Sequence, residues 1–367
     1  MKFVFVNYKP RPVAGSPMGW ISSIKPYLGI PEMLAREHEV DYFIHADFSE
    51  YLLHNKVGYH FIPSSRRSLF PGKIHRSIKK IKPDIVFVYG LYFNLQILQL
   101  RRVLGKKVKI IVQSHSFDPA NGWRKYLERM SYGAADLFFF ASKNIAAKWV
   151  DNGNFPNDKK IREILPASSL QYPVDHNTAL EKTGMRDTKT FLWVGRLNDN
   201  KDPLLVVRCF VQFLRLYPDF RLYMIYQTGE LEEQIRELVK KNFCEEKIIL
   251  KGAVSNTDLL YWYNSADFYI SGSHNESFGI ALCEAISCGV IPVVTDIPSF
   301  RKMTGDGEYG VLFEPANENS LMIALEKTLT IDIKKEKPRM LENFETNLSF
   351  SAIVRSIKKT IGNLKMW

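Results

Sequence analysis

The chain has 367 residues, 46% of them apolar and 24% charged, which excludes a disordered, collagen-like or coiled-coil protein and leaves room for two domains. No run approaches 18 apolar residues, so no membrane-spanning helix is expected. The formal net charge of +11 is lopsided: residues 1–170 carry 26 Lys+Arg against 13 Asp+Glu, and residues 171–367 carry 24 against 26.

The basic half therefore calls for an acidic partner: nucleic acid, an anionic membrane surface or a phosphorylated ligand. The start, MKFVFVN, has too few apolar residues for a signal peptide and reads as the first strand of a cytoplasmic protein. Cys209, Cys244, Cys283 and Cys288 form no CxxC pair and read as reduced thiols. Strands are expected at 3–6, 40–44, 85–89, 109–112, 137–140 and 162–165, with helices at 95–104 and 123–132 between them. The polar stretch 171–189, with Pro173 and Gly184, reads as a linker. The rhythm then restarts, with strands at 190–194, 221–226, 247–250, 267–270 and 291–294. Helices at 203–216, 231–240, 257–265 and 278–287 separate them. Strands alternating with helices predict βαβ units and parallel sheets. The expected fold class is α/β: two Rossmann-like domains, 1–170 and 190–345, facing each other across a cleft. A charged helical tail, 346–367, follows.

Two stretches carry candidate chemistry. The first is 271–299, SGSHNESFGIALCEAISCGVIPVVTDIPS. Glu276 precedes a helix and Glu284 lies about two turns into it. Ser277 is the expected N-cap, which leaves the amides of Phe278, Gly279 and Ile280 free to meet an anion. A carboxylate there repels phosphate but accepts hydrogen bonds from sugar hydroxyls. The alternative reading makes both glutamates solvated charges flanking a helix. The second stretch is 194–203, VGRLNDNKDP. Gly195 ends a strand, Arg196 and Lys201 follow, and Pro203 opens a helix. Two cations beyond a strand's C-terminal edge can clamp a diphosphate. Ordinary surface cations in a strand-to-helix turn are the alternative.

In this order the two stretches resemble the retaining GT-B glycosyltransferases of family 4. ESFGIALCE has that family's E-x7-E pattern, the GR…K loop its diphosphate clamp, and 251–273 its stretch around the nucleotide base. The resemblance is dense from about residue 190 to 315. It implies that Arg196 and Lys201 hold the donor diphosphate and that Glu284 takes the ribose hydroxyls. It also implies that Glu276, with the amides of Ser277 to Ile280, holds the sugar and distal phosphate, while backbone near Gly252 and Val254 edges the base. It further implies a nucleotide-sugar donor linked to UDP or GDP, transfer with retained configuration, and no cofactor or metal. The tail is expected to cross back to the first domain.

The first domain matches less closely. The family's Gly-rich turn falls at KPRPVAGSPMGW, where Gly15 and Gly19 are the candidates and the tight Gly pair is absent. His115, in QSHSFD, matches a first-domain histidine that contacts the donor sugar, and a crevice-edge histidine can move a proton. A structural loop histidine is the other reading. GDGEYG at 305–310 fits G-x-G-x-x-G, but a strand follows it where a dinucleotide fingerprint needs a helix, so a turn is expected.

The segment 66–82, RRSLFPGKIHRSIKKIK, places Arg66, Arg67, Lys73, Arg76, Lys79 and Lys80 around Ile74, Ile78 and Ile81 on one helical face. It suits either a helix lying on anionic lipid or a crossover helix whose isoleucines pack on the sheet. No DNA motif or single-strand platform accompanies the charge, which disfavours nucleic acid. The implied acceptor is a saccharide or lipid-linked saccharide. A nucleotide-sugar isomerase on the same scaffold and a non-catalytic binding protein remain as alternatives.

Overall fold

A computed structural model describes residues 1–9, 16–63, 69–227 and 229–364. Gly15, Arg66 and Arg67 lie outside the described residues, as does the end of the tail. The chain divides into two compact units, residues 1–168 with 350–367, and residues 169–349.

The first unit runs β1 (Lys2–Asn7), α1 (Pro17–Ser23), α2 (Lys25–Leu34), β2 (Glu39–Ala46), β3 (Glu50–His54), β4 (Val57–Pro63) and α3 (Gly72–Ile81). It continues with β5 (Ile85–Tyr89), α4 (Asn94–Leu104), β6 (Lys109–Gln113), α5 (Trp123–Ala134), β7 (Leu137–Phe140), α6 (Lys143–Asp151) and β8 (Ile161–Glu163). The sheet order is β3-β4-β2-β1-β5-β6-β7-β8. All pairings are parallel except the β3–β4 hairpin. Val4, Val6, Phe43, Val86, Val88, Ile110, Val112, Phe138 and Phe140 are among the strand residues of one core, because strands covered on both faces are apolar throughout.

In α3, Ile74 and Ile78 are buried in that core and Ile81 packs partly against it. The isoleucine face is thus a crossover-helix face, and Lys73, Arg76, Lys79 and Lys80 point outward. Between α3 and the β3–β4 hairpin runs a groove of about 820 Å³, with Lys73, Arg76 and Lys80 on one wall and Tyr51 and Glu50 on the other.

The second unit runs α7 (His176–Thr183), β9 (Thr190–Arg196), α8 (Pro203–Leu216), β10 (Arg221–Gln227), α9 (Glu232–Lys241), β11 (Ile248–Gly252) and α10 (Asn256–Ser265). Then come β12 (Phe268–Ser271), α11 (Ile280–Ser287), β13 (Ile291–Thr295), α12 (Pro298–Met303), β14 (Val311–Phe313), α13 (Glu318–Lys327) and α14 (Ile333–Asn343). Its six strands are all parallel, in the order β11-β10-β9-β12-β13-β14. The α/β class with two parallel sheets is as expected. The stretch 171–189, read as a linker, lies within this unit and holds α7. GDGEYG is a turn with Gly305, Gly307 and Gly310 at positive φ, ahead of β14.

After α14 the chain returns to the first unit as α15 (Phe350–Leu364), which packs on α2. Ala352, Ile353, Val354, Ile357 and Ile361 are its buried face, and Lys358 Nζ meets Glu37 Oε2 at 2.6 Å. Phe350 lies over Gly29 so closely that a Cβ there would stand 2.5 Å from the ring. Gly29→Ala must displace that ring, an overpacking that typically costs about 1–3 kcal/mol. The variant should melt several degrees earlier and exchange the α15 amides faster. Wild-type melting and exchange would show that α15 docks without this contact.

Candidate active site

In a parallel sheet of order 3-2-1-4-5-6, ligands bind beyond the C-terminal ends of the strands where the order reverses. In the second unit that point lies between β9 and β12, and the connections that leave them carry Arg196, Lys201 and Glu276.

The β9–α8 connection is fixed by its own polar groups. Asn198 Oδ1 accepts from Lys201 N at 3.1 Å and tightens a 3-10 turn over Asp199–Lys201. Asp202, at φ +40°, caps α8, its Oδ1 accepting from Leu205 N at 3.1 Å, and Pro203 opens the helix. The facing β12–α11 connection is stitched to it. His274 N donates to Asn200 O at 2.8 Å, Asn200 Nδ2 donates to Asn275 O at 3.0 Å, and His274 Nε2 lies 2.9 Å from Asp202 Oδ2. Gly272 permits this approach, since a Cβ there would stand 3.0 Å from Asp202 O.

Across the seam Lys201 Nζ pairs with Glu276 Oε1, both side chains largely shielded from water. Ser273 Oγ donates to the same carboxylate oxygen at 3.2 Å, and Thr295 Oγ1 anchors Ser273 O at 2.6 Å. Arg196 ends β9 exposed, with no ion pair among the described residues. Gly195 precedes it, where a Cβ would press on the Trp193 ring at 3.0 Å.

The helix start differs from expectation. α11 begins at Ile280, two residues later than expected, and its cap is Gly279 at φ +87° with no side-chain cap bond, so Ser277 is not the N-cap. A Cβ on Gly279 would stand 2.6 Å from the Phe300 ring, so tertiary packing as well as φ demands glycine here. The Phe278 side chain is buried. Among the described residues the first-turn amides of α11, starting with Ile280, have no side-chain acceptor, and the helix dipole favours an anion there.

Glu284 is one turn further along α11. Its Oε2 accepts from the fully buried Tyr263 hydroxyl at 2.9 Å. Burial pushes its carboxyl up to about 7, although the tyrosine hydrogen bond opposes the shift. Gly252 ends β11 at φ +79°, and Val254 follows two residues on, half-buried. Both lie at the same sheet edge as Arg196.

In the first unit His115 lies just past β6, half-buried, its ring 6.0 Å from Tyr27 and 5.9 Å from Tyr89. Gly19 does not form a turn. It sits in the first turn of α1, and its amide donates to the Ser16 cap at 3.1 Å, so it is not free for a ligand. Sequence reading missed Asp202, Asn200, Ser273 and Tyr263. Asp202 had a local signal, an Asp immediately before Pro203. Tyr263 had none, because it meets Glu284 only across two helices 21 residues apart in sequence.

Comparison with known proteins follows the two units. Residues 176–345 match the family Glycosyl transferases group 1, and residues 30–166 match Glycosyltransferase Family 4. An N-acetylgalactosamine-N,N'-diacetylbacillosaminyl-diphospho-undecaprenol 4-alpha-N-acetylgalactosaminyltransferase of Campylobacter jejuni is 34% identical over 58% of this chain and 56% of its own length. A GDP-mannose:cellobiosyl-diphosphopolyprenol alpha-mannosyltransferase of Xanthomonas oryzae is 26% identical over 70% of this chain and 66% of its own. The match thus spans less than two thirds of these relatives. Among solved structures, a glycosyltransferase of Rickettsia africae superposes with a TM-score of 0.75 at 16% identity, covering 98% of this chain and 97% of its own. Anabaena HepE in complex with UDP and glucose gives 0.69 at 14% identity, covering 99% and 100%. The chain belongs to the group 1 glycosyl transferases of glycosyltransferase family 4, and its two parallel-sheet units have the GT-B fold.

Proposed function

We propose that this chain is a retaining, metal-independent glycosyltransferase. It moves a hexose-type sugar from a UDP- or GDP-linked donor to a saccharide or lipid-linked saccharide in surface-glycan synthesis, at the cytoplasmic face of the membrane. The observation that carries the reading is the Lys201–Glu276 pair at the switch point of the second sheet, beside an α11 start with no side-chain cap. The two relatives named for diphospho-undecaprenol and diphosphopolyprenol acceptors support a lipid-linked acceptor. The groove beside Lys73, Arg76 and Lys80 suits the anionic group of such an acceptor.

Arg196 and Lys201 take the donor diphosphate, with the α11 amides on its distal phosphate. Lys201 is drawn toward the phosphates, and Glu276 is left to accept hydrogen bonds from sugar hydroxyls while Ser273 holds it in place. The acceptor oxygen bonds to the anomeric carbon on the face from which the phosphate oxygen departs, and that phosphate takes the acceptor's proton. No protein nucleophile is required. His115 is the proton-handling group of the first unit. Gly252 and Val254 edge the base.

Glu284 accepts from the ribose hydroxyls, which needs its carboxylate form. Its carboxyl titrates at about 7, so donor affinity should rise as pH increases through neutrality and level off above it. Below that point it should fall by up to about tenfold per pH unit. Glu284→Gln should bind weakly with a flat profile. A flat wild-type profile in calorimetry across this range would remove Glu284 from the ribose.

Lys201→Ala should lower turnover by about tenfold or more, because developing phosphate charge loses its partner. Wild-type turnover would make Lys201 a structural partner of Glu276 alone. Nucleoside diphosphate release tests the whole reading. Release that depends on acceptor supports transfer, conversion of the donor without acceptor supports an isomerase, and neither would leave a binding protein. Reversing the charges of Lys79 and Lys80, which stand outside the α3 core face, should reduce sedimentation with anionic vesicles. Unchanged sedimentation would remove α3 from the membrane.

A further inference from the structure

α5 has two faces of opposite character. Glu128, Ser131, Tyr132 and Ala134 are buried against the first unit. Trp123, Tyr126 and Met130 stand 67%, 68% and 56% exposed. Their spacing of i, i+3 and i+7 confines them to one stripe about 60° wide on the helix. Three large side chains lined up in water are an exposed apolar patch, not a scatter of single residues. Arg124 and Arg129 flank the stripe, both exposed, and neither forms an ion pair among the described residues. The Arg124 guanidinium carbon lies 5.5 Å from the centre of the Trp123 ring.

The position in the fold adds to this. α5 opens from the connection that carries His115, at the C-terminal edge of the parallel sheet. α4 packs alongside it, with Arg101 Nε donating to Ala134 O at 2.6 Å. Tyr92, 52% exposed, projects just ahead of α4 at that edge.

Charge decides what covers the stripe. A second copy of this chain would press four arginines together, on halves that each carry a net charge of +13. A single nucleic-acid strand needs a groove that tracks its backbone, whereas these rings stand on the convex side of a helix. A bilayer interface takes indole and phenol rings at headgroup depth, and its anionic phosphates take arginines.

We propose that this face of α5 lies on an anionic lipid bilayer, with Trp123, Tyr126 and Met130 in the interface and Arg124 and Arg129 on lipid phosphates. The surface is separate from the α3 cations and uses none of the donor residues, so it goes beyond the transferase reading. It brings the membrane to the sheet edge that bears His115.

The test is sedimentation of the full chain with phosphatidylcholine vesicles, with and without phosphatidylglycerol. The wild-type chain should bind only the anionic vesicles, with a blue shift of tryptophan emission. Trp123→Ala/Tyr126→Ala and, separately, Arg124→Glu/Arg129→Glu should each lower binding at least about fivefold. Both should keep wild-type melting and nucleotide-sugar binding, and the second pair guards against a folding defect in the first. Wild-type chain that ignores anionic vesicles, or both variants binding them like wild type, would overturn the proposal. So would a wild-type dimer that Trp123→Ala/Tyr126→Ala dissociates without loss of vesicle binding. Loss of vesicle binding in these variants with no nucleotide-sugar binding in any form would leave α5 on the membrane and end the transferase reading instead.

Discussion

A parallel sheet sends the C-terminal ends of all its strands to one edge, and the connections that leave that edge diverge only where strand order reverses. In the second unit β9 and β12 are neighbours, but the chain leaves β9 toward β10 and leaves β12 toward β13. Two connections must therefore part company beside each other, and a crevice opens between them. The fold then closes the floor of that crevice with backbone and side-chain hydrogen bonds. His274 N reaches Asn200 O, Asn200 reaches back to Asn275 O, and Asp202 holds both its own helix and the His274 ring. The Lys201–Glu276 pair forms across a seam already fixed without it.

That pair brings opposite charges together where water is largely excluded, and the start of α11 adds backbone amides without a side-chain acceptor. The pair itself adds no net charge to the crevice, because the lysine and the carboxylate offset one another. Glu284 stands under a different constraint. Among the described residues it has the Tyr263 hydroxyl and no ion-pair partner, and burial raises its carboxyl toward neutrality and makes it sensitive to pH. The two glutamates of one motif thus have different partners, a lysine for Glu276 and a phenol for Glu284.

The first unit shows how one helical pattern leads to opposite outcomes. The isoleucines of α3 go into the core and leave its lysines outside. In α5 the buried face contains Glu128 and Ser131, while Trp123, Tyr126 and Met130 face water. Glu128 is accommodated by Asn154 Nδ2 at 2.6 Å and Ala120 N at 3.3 Å, so the buried face of α5 carries a carboxylate beside the core residues Tyr132 and Ala134. Hydrophobic spacing alone predicts the reverse assignment for α5.

Strands such as β9 were legible because FLWV is a continuous apolar run followed by glycine, and α8 because Pro203 opens it. The β3–β4 hairpin was not legible, since its turn is Asn55–Lys56, both at positive φ and without the glycine that marks such turns. The α11 start was misjudged at Ser277 because Phe300, about twenty residues on, is what seats Gly279. Gly19 was misjudged because Ser16 caps a short helix that its flanking prolines obscure. The sequence by itself determined the alternation of strands and helices, the excess charge of the first half, and the order of Arg196, Lys201, Glu276 and Glu284. These are properties of neighbours along the chain, which spacing and residue type express directly. Only the tertiary structure decided which residues partner them and which helix faces meet water, because Tyr263 with Glu284, Asp202 with His274 and Phe350 with Gly29 are pairs set by packing between distant elements.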